Sequence, residues 1–395
     1  MKTSTDVLIF GAGVNGLSIA YSLLKKGRKV ILAEKTAMGA GASGACDDMI
    51  LLQSKKPGIL LSMAFRSLEL FAKLEKDLPT DIELENRGGM ILIEDDKQLK
   101  AMEEFAASQN QYGLGVVIVD KKELRRRQPN VADTVIASTY CTRDSQVNPM
   151  MLMKAFMLAN RSMGMELITR VHAVEMKQNA SGWTSCLSDG TCVESETIVN
   201  ATGAWANEVN KLVGIEVPIT PRKGQVLVTE QLPLLGETNV WSAQYISSKL
   251  KPELTDTSNP MAEKYGLGFA FTGTYEGNYL IGSTRENAGF DRTTIPEAIS
   301  LLGNQAKHFF PVIANVNIIR TFAGLRPTTP DGYPFIGEVS SLPGFYMAVG
   351  HEGDGIALAA ITGKLVTDMI CGLTPEFDLT ELKADRFMEK QNGAG

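Results

Sequence analysis

The sequence is poor in two residue types on which many active sites depend. It has three histidines, His172, His308 and His351, so few side chains could act as a histidine general base. Its five cysteines are odd in number and scattered, with no C-x-x-C pair: they are Cys46, Cys141, Cys186, Cys192 and Cys371. This pattern argues against disulfides, and we expect no metal site and no iron–sulfur cluster held by this chain alone.

Long apolar runs and an excess of positive charge are also lacking. No stretch is apolar and free of charge over the roughly eighteen residues that a membrane helix needs. The first predicted strand begins at Asp6, so we expect no leader peptide and a cytoplasmic location. The net charge of −6 argues against a nucleic-acid partner, and the run Arg125 to Arg127 is typical of a solvated surface. A chain of 395 residues is expected to form two domains.

The stretch from Asp6 to Lys35, DVLIFGAGVNGLSIAYSLLKKGRKVILAEK, predicts a dinucleotide-binding unit. An apolar strand meets Gly11, Gly13 and Gly16 in G-x-G-x-x-G spacing, and a helix and a second strand follow. Glu34 ends that second strand, where a carboxylate can accept hydrogen bonds from a ribose diol. The motif does not distinguish NAD from FAD, because both contain adenosine diphosphate.

A second glycine-rich stretch, Gly39 to Gly44 with Ser43, follows directly. It suits a cofactor longer than NAD, since small residues let the backbone approach a ligand again, although a flexible loop is the alternative. Asp47 and Asp48 come next. They could be catalytic carboxylates, but such a pair more often caps a helix or faces solvent.

The middle of the chain changes pattern and predicts a substrate domain of mixed helices and strands up to Thr142. Asn148 and Pro149 mark the start of a methionine-rich core helix. The segment TIVNATGAW, 197–205, returns to the nucleotide layer. Further on, 247–265 is polar with two prolines and predicts a loop without regular structure, and 276–278 predicts a hairpin turn.

Two stretches near the carboxyl end have the strongest functional content. In GLRPTTPDGYPFIG, 324–337, Arg326 stands on a stiffened turn, where a guanidinium can grip a carboxylate with two hydrogen bonds. The alternative is an internal salt bridge with Asp331 or Glu338. In VGHEGDGIALAAITGKLVTDMI, 349–370, a glycine-rich loop leads to a helix predicted to begin near Ile356, whose positive end suits an anionic flavin ring.

These motifs resemble the FAD-dependent amine oxidoreductases of the D-amino-acid oxidase and glycine oxidase family. They are GAGVNG with Glu34, GAGASG, ATGAW, GSTRE at 282–286, GLRP with DGYPFIG, and GHEGDGI, in order along nearly the whole chain. Within that family, SGACDD, LLQSKKPG and GHEGDGIALAAITGKL are most similar to β subunits of heteromeric dye-linked dehydrogenases acting on proline, hydroxyproline or opines, and to the hydrogen cyanide synthase group.

The resemblance implies the fold and the site. It implies an α/β fold, with a Rossmann-like FAD-binding domain (1–46, 145–220 and 320–390) interleaved with an α+β substrate domain built on a largely antiparallel sheet (47–144 and 221–319). It implies Arg326 as the residue that holds the substrate carboxylate and Tyr245 as a substrate-side residue. The residues implied to bind FAD are Gly11, Gly13, Gly16, Glu34, Ser43, Val171, Ala201, Gly203, Gly350, His351, Gly353, Gly355 and Ile356.

This sequence departs from the family in two places. The 247–268 stretch is longer than in self-contained glycine oxidases, which affects the assignment of Tyr245. The last loop, where those oxidases tend to have an arginine, contains Glu352 and Asp354, so no second carboxylate clamp is implied there.

The resemblance also implies a reaction and partners. The expected reaction is hydride transfer to FAD from an amino acid or secondary amine, such as an imino acid, N-substituted amino acid or opine. We expect the chain to be the catalytic β subunit of a heteromeric dehydrogenase, with α and small iron–sulfur subunits that contain the electron-transfer centres and could hold it at the inner membrane. The alternatives are a stand-alone glycine, D-amino-acid or sarcosine oxidase that makes hydrogen peroxide, and a non-catalytic subunit that only holds FAD.

Overall fold

The computed structural model describes residues 2–250 and 260–387. The middle of the predicted 247–265 loop, residues 251–259, lies outside this range. In chain order the strands are β1 (Lys2–Phe10), β2 (Val30–Glu34), β3 (Met49–Ile50), β4 (Gly89–Ile93), β5 (Val117–Asp120), β6 (Ala137–Tyr140), β7 (Ser145–Gln146), β8 (Glu166–Thr169), β9 (Ala173–Asn179), β10 (Gly182–Leu187), β11 (Cys192–Asn200), β12 (Thr220–Thr229), β13 (Asn239–Ser242), β14 (Ala270–Gly273), β15 (Tyr279–Gly282), β16 (Ile318–Thr328), β17 (Phe335–Glu338) and β18 (Phe345–Val349).

Three helices begin at a side-chain cap, and the capping residues are Asp95, Asp120 and Asn148. The Asn148 side chain accepts hydrogen bonds from the backbone N–H groups of Met150 and Met151, and Pro149 takes the first helical position of the methionine-rich helix. The helices are α1 (Val14–Lys25), α2 (Ile59–Asp77), α3 (Asp96–Asn110), α4 (Lys121–Arg127), α5 (Pro149–Ser162), α6 (Ala206–Asn210), α7 (Ala243–Leu250), α8 (Pro260–Tyr265), α9 (Pro296–Phe309) and α10 (Ala359–Ile370).

One eight-stranded sheet is of the nucleotide-binding type. Its main path is β17-β18-β11-β1-β2-β8, and β9 and β10 extend it beside β11. The four pairs from β18 through β11, β1 and β2 to β8 are parallel, and β1 is at the centre. Helices α1 and α10 pack against each other beside this sheet. Buried apolar residues on β1, such as Val7 and Ile9, belong to the core that these helices share with the sheet.

The second eight-stranded sheet has the order β16-β12-β15-β14-β13-β4-β6-β5. All of its pairs are antiparallel except the pair between β4 and β13. The predicted architecture, a nucleotide-binding sheet with a second, largely antiparallel sheet, is therefore confirmed. The predicted domain boundaries stay a prediction; β16, at the edge of the second sheet, spans the boundary proposed near residue 320.

Three local predictions are wrong. The polar stretch 247–265 is not free of regular structure, because α7 extends into it and α8 ends it. Arg326 lies not on a turn but inside β16, where Arg222 of β12 is its cross-strand neighbour. The last helix begins at Ala359 rather than near Ile356, so the glycine-rich loop before it is longer than predicted.

The expectation that no disulfide forms is also wrong. Cys186 ends β10 and Cys192 begins β11, and the two face each other across the antiparallel pair with their sulfurs bonded. The turn at Asp189 and Gly190 brings them together, which neither the odd cysteine count nor the missing C-x-x-C spacing can reveal. The other three cysteines are free thiols.

Neither a membrane span nor a metal cluster is found in the part of the chain that the structure describes. Among residues 2–250 and 260–387, no helix combines the length and the apolar character needed to cross a bilayer. The same residues contain no group of three or more His, Cys, Asp or Glu side chains placed to hold a metal ion.

Candidate active site

The first turn of the nucleotide-binding sheet is built by glycines that touch backbone. Gly11 has φ +105° and donates its N–H to the carbonyl of Ala33, 2.9 Å away. A Cβ on Gly11 would lie 2.6 Å from the carbonyl oxygen of Ala201, and one on Gly16 would lie 2.0 Å from that of Gly11. Gly11 and Gly13 line a deep cavity, whereas Gly16 lies behind them and lets α1 approach the turn.

Glu34 stands at the carboxyl end of β2 and lines the same cavity. Its carboxylate accepts hydrogen bonds from the N–H groups of Ala12 and Thr36, both at 2.8 Å. Because a carboxylate oxygen has more than one acceptor position, these bonds fix the group and leave it able to accept from a diol. The arrangement fits the predicted contact with a ribose.

The second glycine-rich stretch closes over the start of α1. The hydroxyl of Ser43 accepts a hydrogen bond from the N–H of Val14 at 3.1 Å, and the N–H of Gly39 donates to the carbonyl of Ala12. Both stretches line the cavity. The structure therefore places the small residues of GAGASG against the nucleotide turn.

The other predicted cofactor residues line the cavity from further along the sheet. Val171 donates its N–H to the carbonyl of Glu34, and Ala201 donates to that of Phe10. The loop after β18 completes the wall. Of the predicted cofactor residues, only Gly16 does not line the cavity; those from these two regions that do are Val171, Ala201, Gly203, Gly350, His351, Gly353, Gly355 and Ile356.

His351 is a neutral, buried side chain. Burial lowers its pKa to about 4, against the opposing effect of nearby Asp354. Its Nδ1 lies 3.2 Å from the Asn15 amide nitrogen and its Nε2 lies 3.1 Å from the Thr362 hydroxyl. Because the amide nitrogen can only donate, Nδ1 is the acceptor, and Nε2 carries the proton. The ring thus connects the glycine-rich loop to α1 and α10.

Arg326 points into the cavity from β16 with its guanidinium already oriented. Its Nη1 donates to the carbonyl of Thr284 at 3.1 Å, and its Nη2 donates to the hydroxyl of Ser283 at 2.7 Å. Gly224 on β12 makes room, since a Cβ there would lie 2.3 Å from Nη1. The predicted alternative, an internal salt bridge, is not what the structure shows. Asp331 instead pairs with Arg386 at 2.8 Å.

Tyr245 lines the cavity and is joined to a second arginine that the sequence analysis did not select. The guanidinium carbon of Arg285 lies 4.5 Å from the centroid of the Tyr245 ring. The ring packs on Gly268, where a Cβ would lie 2.2 Å from it. Arg285 also lines the cavity.

A buried ion pair connects the wall of the cavity to the last loop. The ammonium of Lys55 donates to Asp354 at 2.8 Å and to the carbonyl of Leu51 at 2.7 Å, and its side chain is 1% exposed. Asp47 also lines the cavity. Burial raises the pKa of Asp47, while the charges of Arg326 and Lys55 act to lower it. This cavity therefore groups several charges within one enclosed space.

The sequence model of the family described as FAD dependent oxidoreductase matches residues 6–369. The chain belongs to this family. The match includes the nucleotide turn, Arg326 and the last loop, and it confirms the predicted family, the predicted enzyme class and the predicted cofactor, FAD.

Individual members of the FAD dependent oxidoreductase family are similar to this chain over its full length. Hydrogen cyanide synthase subunit HcnC of Pseudomonas protegens is 30% identical, over 97% of this chain and 96% of its own. Glycine oxidase of Geobacillus kaustophilus is 29% identical over 98% of both chains. Its crystal structure matches with a TM-score of 0.87, covering 97% of this chain and 99% of that one. An opine oxidase subunit of Agrobacterium tumefaciens is 25% identical over 98% of both chains.

The residues of the cavity fit an extended FAD. Gly11, Gly13 and the start of α1 line the cavity, as a pyrophosphate site requires, and Glu34 lines it at the end of β2, where a carboxylate can accept hydrogen bonds from a ribose. Asn15 lines the cavity, and its buried Oδ1 has no hydrogen-bond partner in the described protein, so it is free to accept from a ligand. The cavity continues past Gly350 to Arg326, which leaves room for a flavin ring and a substrate.

Several residues that line the cavity were not predicted from the sequence. Trp241 lies in a segment without a motif and reaches the cavity from β13 of the second sheet. Lys55 lies in LLQSKKPG, 51–58, which was used for the resemblance but not for chemistry. Arg285 is part of the GSTRE segment, which was used for the resemblance but not for chemistry. The arginine of GSTRE and the lysine of LLQSKKPG were the signals available in the sequence.

Proposed function

We propose that this protein oxidises a small amine that bears a carboxylate, using FAD as the electron acceptor. The substrate class is an amino acid or secondary amine, such as an imino acid, an N-substituted amino acid or an opine. The observation that supports this best is Arg326, a preoriented guanidinium in the same cavity as the nucleotide turn. Glycine oxidase and the opine oxidase subunit, both similar over the full chain, support an amine as the substrate.

In this proposal the cofactor is held along the cavity by the residues selected from the sequence. Gly11, Gly13 and the start of α1 bind the pyrophosphate, Glu34 binds the ribose, and Val171 lies at the adenine. Bound FAD supplies a two-electron acceptor. The loop 350–356 and the start of α10 lie beside the flavin ring, where the positive end of a helix favours negative charge.

The chain's own residues would work mainly by orientation. Arg326 holds the carboxylate with two hydrogen bonds and so fixes the carbon that is oxidised. His351 is neutral and its Nδ1 is occupied by Asn15, so it is a poor proton acceptor. The amine must therefore reach the site in its neutral form, and Tyr245 bounds the space that it occupies.

Replacing Arg326 with leucine tests this role. Losing a charged, two-point hydrogen bond should weaken carboxylate substrates by about tenfold to a hundredfold. Arg326→Lys keeps the charge without the fork and should fall between the two. The measurement is the rate of flavin bleaching under anaerobic conditions with proline, hydroxyproline, sarcosine, glycine, D-amino acids and opines. The visible spectrum of bound FAD is the control, and equal rates for the variant and the wild type would refute the role.

We further propose that the chain is the catalytic β subunit of a heteromeric dehydrogenase. The support is that two similar proteins, HcnC and the opine oxidase chain, are themselves named as subunits. The partners would be α and small iron–sulfur subunits, which contain the electron-transfer centres. The test is co-expression with the neighbouring reading frames followed by measurement of size and iron content. Dye reduction that needs a partner chain would support the proposal.

The second candidate is a stand-alone oxidase that passes electrons to oxygen. The 29% identity to glycine oxidase and the TM-score of 0.87 favour it. Hydrogen peroxide formed in equal amount to the substrate consumed, by the purified single chain, would establish this alternative. A non-catalytic subunit would instead leave the flavin oxidised with every amine, even in the complete complex.

A further inference from the structure

Arg285 and Arg326 place two guanidinium groups in one cavity, and the residues just before Arg285 hold the side chain of Arg326. Arg285 directly follows Ser283 and Thr284, the two residues whose oxygens hold the Arg326 guanidinium. Its own N–H donates to the carbonyl of Tyr265 at 2.8 Å. Both arginines are half-buried and both line the cavity. The site therefore has a second fixed positive charge beside the one that our proposed function uses.

The Arg285 guanidinium has an unused donor. It stacks on Tyr245, but its buried Nε has no hydrogen-bond partner in the described protein. An unmet buried donor on a charged group costs free energy, so such groups are usually satisfied by protein, water or ligand. Arg285 is thus prepared to bind an acceptor that enters the cavity.

The acidic side chains nearest to Arg285 already have cationic partners. Asp354 forms its ion pair with Lys55 at 2.8 Å, and Glu352 lies 3.5 Å from Arg222. Both act on Arg285 through space, but in the described protein neither is an ion-pair partner of it at contact distance. An incoming carboxylate would find Arg285 available, and it would meet a planar donor suited to it.

We propose that the substrate is a dicarboxylic amine, in which Arg326 binds the carboxylate next to the oxidised carbon and Arg285 binds a second carboxylate. This inference rests on the proposed amine oxidation. The second carboxylate can belong to the substituent on nitrogen or to the side chain of the amino acid. In both cases each guanidinium group binds one of the two carboxylates.

The test compares ligands that differ by one carboxylate. Iminodiacetate and N-methylglycine differ only in this way, as do thiodiacetate and (methylthio)acetate, which contain no amine. Aspartate against alanine and glutamate against 2-aminobutyrate, in each enantiomer, test a carboxylate on the side chain. Affinities come from the change in the flavin spectrum on titration, and oxidation comes from anaerobic bleaching. The wild type should bind the dicarboxylate of a pair about tenfold or more tightly.

Arg285→Leu should reduce that ratio to about one, because only the dicarboxylate loses a partner. Arg320→Leu, which changes an exposed arginine of β16, is the matched control and should keep the ratio. A ratio cancels any general loss of folded protein, and the wild-type comparison stands even if the variant does not fold.

Two results would overturn the inference. One is a wild-type ratio near one for every pair. The other is an Arg285→Leu variant that weakens both members of a pair by the same factor and so keeps the wild-type ratio, which would mean that Arg285 does not bind the second carboxylate. The thiodiacetate pair separates this failure from failure of the proposed function. It reports carboxylate binding even if no amine bleaches the flavin.

Discussion

Burial changes the pKa of single carboxylates beside the cavity. Asp48 is the clearest case, because burial, together with the charges of Asp47, Glu83 and Glu85, raises its pKa to about 7. The folded protein therefore keeps a proton on Asp48 that the unfolded chain releases near the ordinary value of 3.8. The contribution of Asp48 to stability is full below about pH 4 and is lost as the pH rises to about 7.

Asp48→Asn should remove this pH dependence. We expect its free energy of unfolding to exceed that of the wild type by about 1–3 kcal/mol at pH 8, less than the full pKa difference because solvent partly reaches the group. The advantage should shrink as the pH falls toward 4. Urea unfolding of the FAD-bound protein across this range measures it, with Glu103→Gln on the exposed face of α3 as the control. Parallel pH profiles for Asp48→Asn and the wild type would contradict the pKa of Asp48.

Single residues also show why part of the site escaped the sequence analysis. Glu34 was selected by the spacing of the dinucleotide fingerprint, and Ser43 by the second glycine-rich stretch and the resemblance to the family. Arg326 was found, but on the wrong element, because Pro327 suggested a turn. Pro327 lies in β16, which is an edge strand of the second sheet, and edge strands tolerate proline. Lys55 belongs to LLQSKKPG, but that segment predicts no role for it, and its ion pair with Asp354 joins residues 299 positions apart.

At the scale of elements, the glycines of α1 and α9 form a matched pair. Gly16 in α1 touches the carbonyl of Gly11, whereas a Cβ on Gly303 in α9 would meet no other described heavy atom within 4 Å. Gly16→Ala should push α1 away from the turn, weaken FAD binding and lower stability by about 2 kcal/mol or more. Gly303→Ala should raise stability by up to about 1 kcal/mol, through helix propensity alone.

Thermal unfolding and titration with FAD measure both glycine variants. The two substitutions add the same methyl group to a helix, so any difference reports what surrounds each position. Gly16→Ala with unchanged FAD affinity would show that the close approach of helix and turn is not needed for binding.

Elements with strong local signals were predicted well, and those fixed by distant contacts were not. The nucleotide turn, α5 and the β14–β15 hairpin have glycine, cap or turn residues at fixed positions. The end of α7 and all of α8 lie in a polar stretch with prolines, where the sequence favours a loop. Tyr265 at the end of α8 nevertheless packs in the protein interior. The Cys186–Cys192 bond depends on strand register, which composition does not specify.

At the scale of the whole molecule, the cavity is lined by both large sheets. Gly224 and Trp241 come from the second sheet, and Ala33 and Ala348 come from the first. A ligand along this cavity therefore contacts both. Removing FAD should lower the unfolding temperature, and adding it back should stabilise the protein by about 2.7 kcal/mol at a hundredfold excess over Kd.

Calorimetry of the FAD-free protein at increasing FAD concentrations checks this prediction. One transition that moves upward with FAD is the expected result. Two separate transitions, of which only one moves, would show that the sheets unfold independently and that the cofactor contacts only one of them.

The order of strands in the first sheet also constrains when this protein can mature during synthesis. Strand β1 is made before the other strands of this sheet. One of its two neighbours, β11, begins only at Cys192, and the partner of β11 on its other side, β18, begins at Phe345. Such long-range pairing is slow to form. The glycine turn after β1 therefore lacks β11 and β18 until the residues after Phe345 have been made, so we expect the coenzyme to load only after that point.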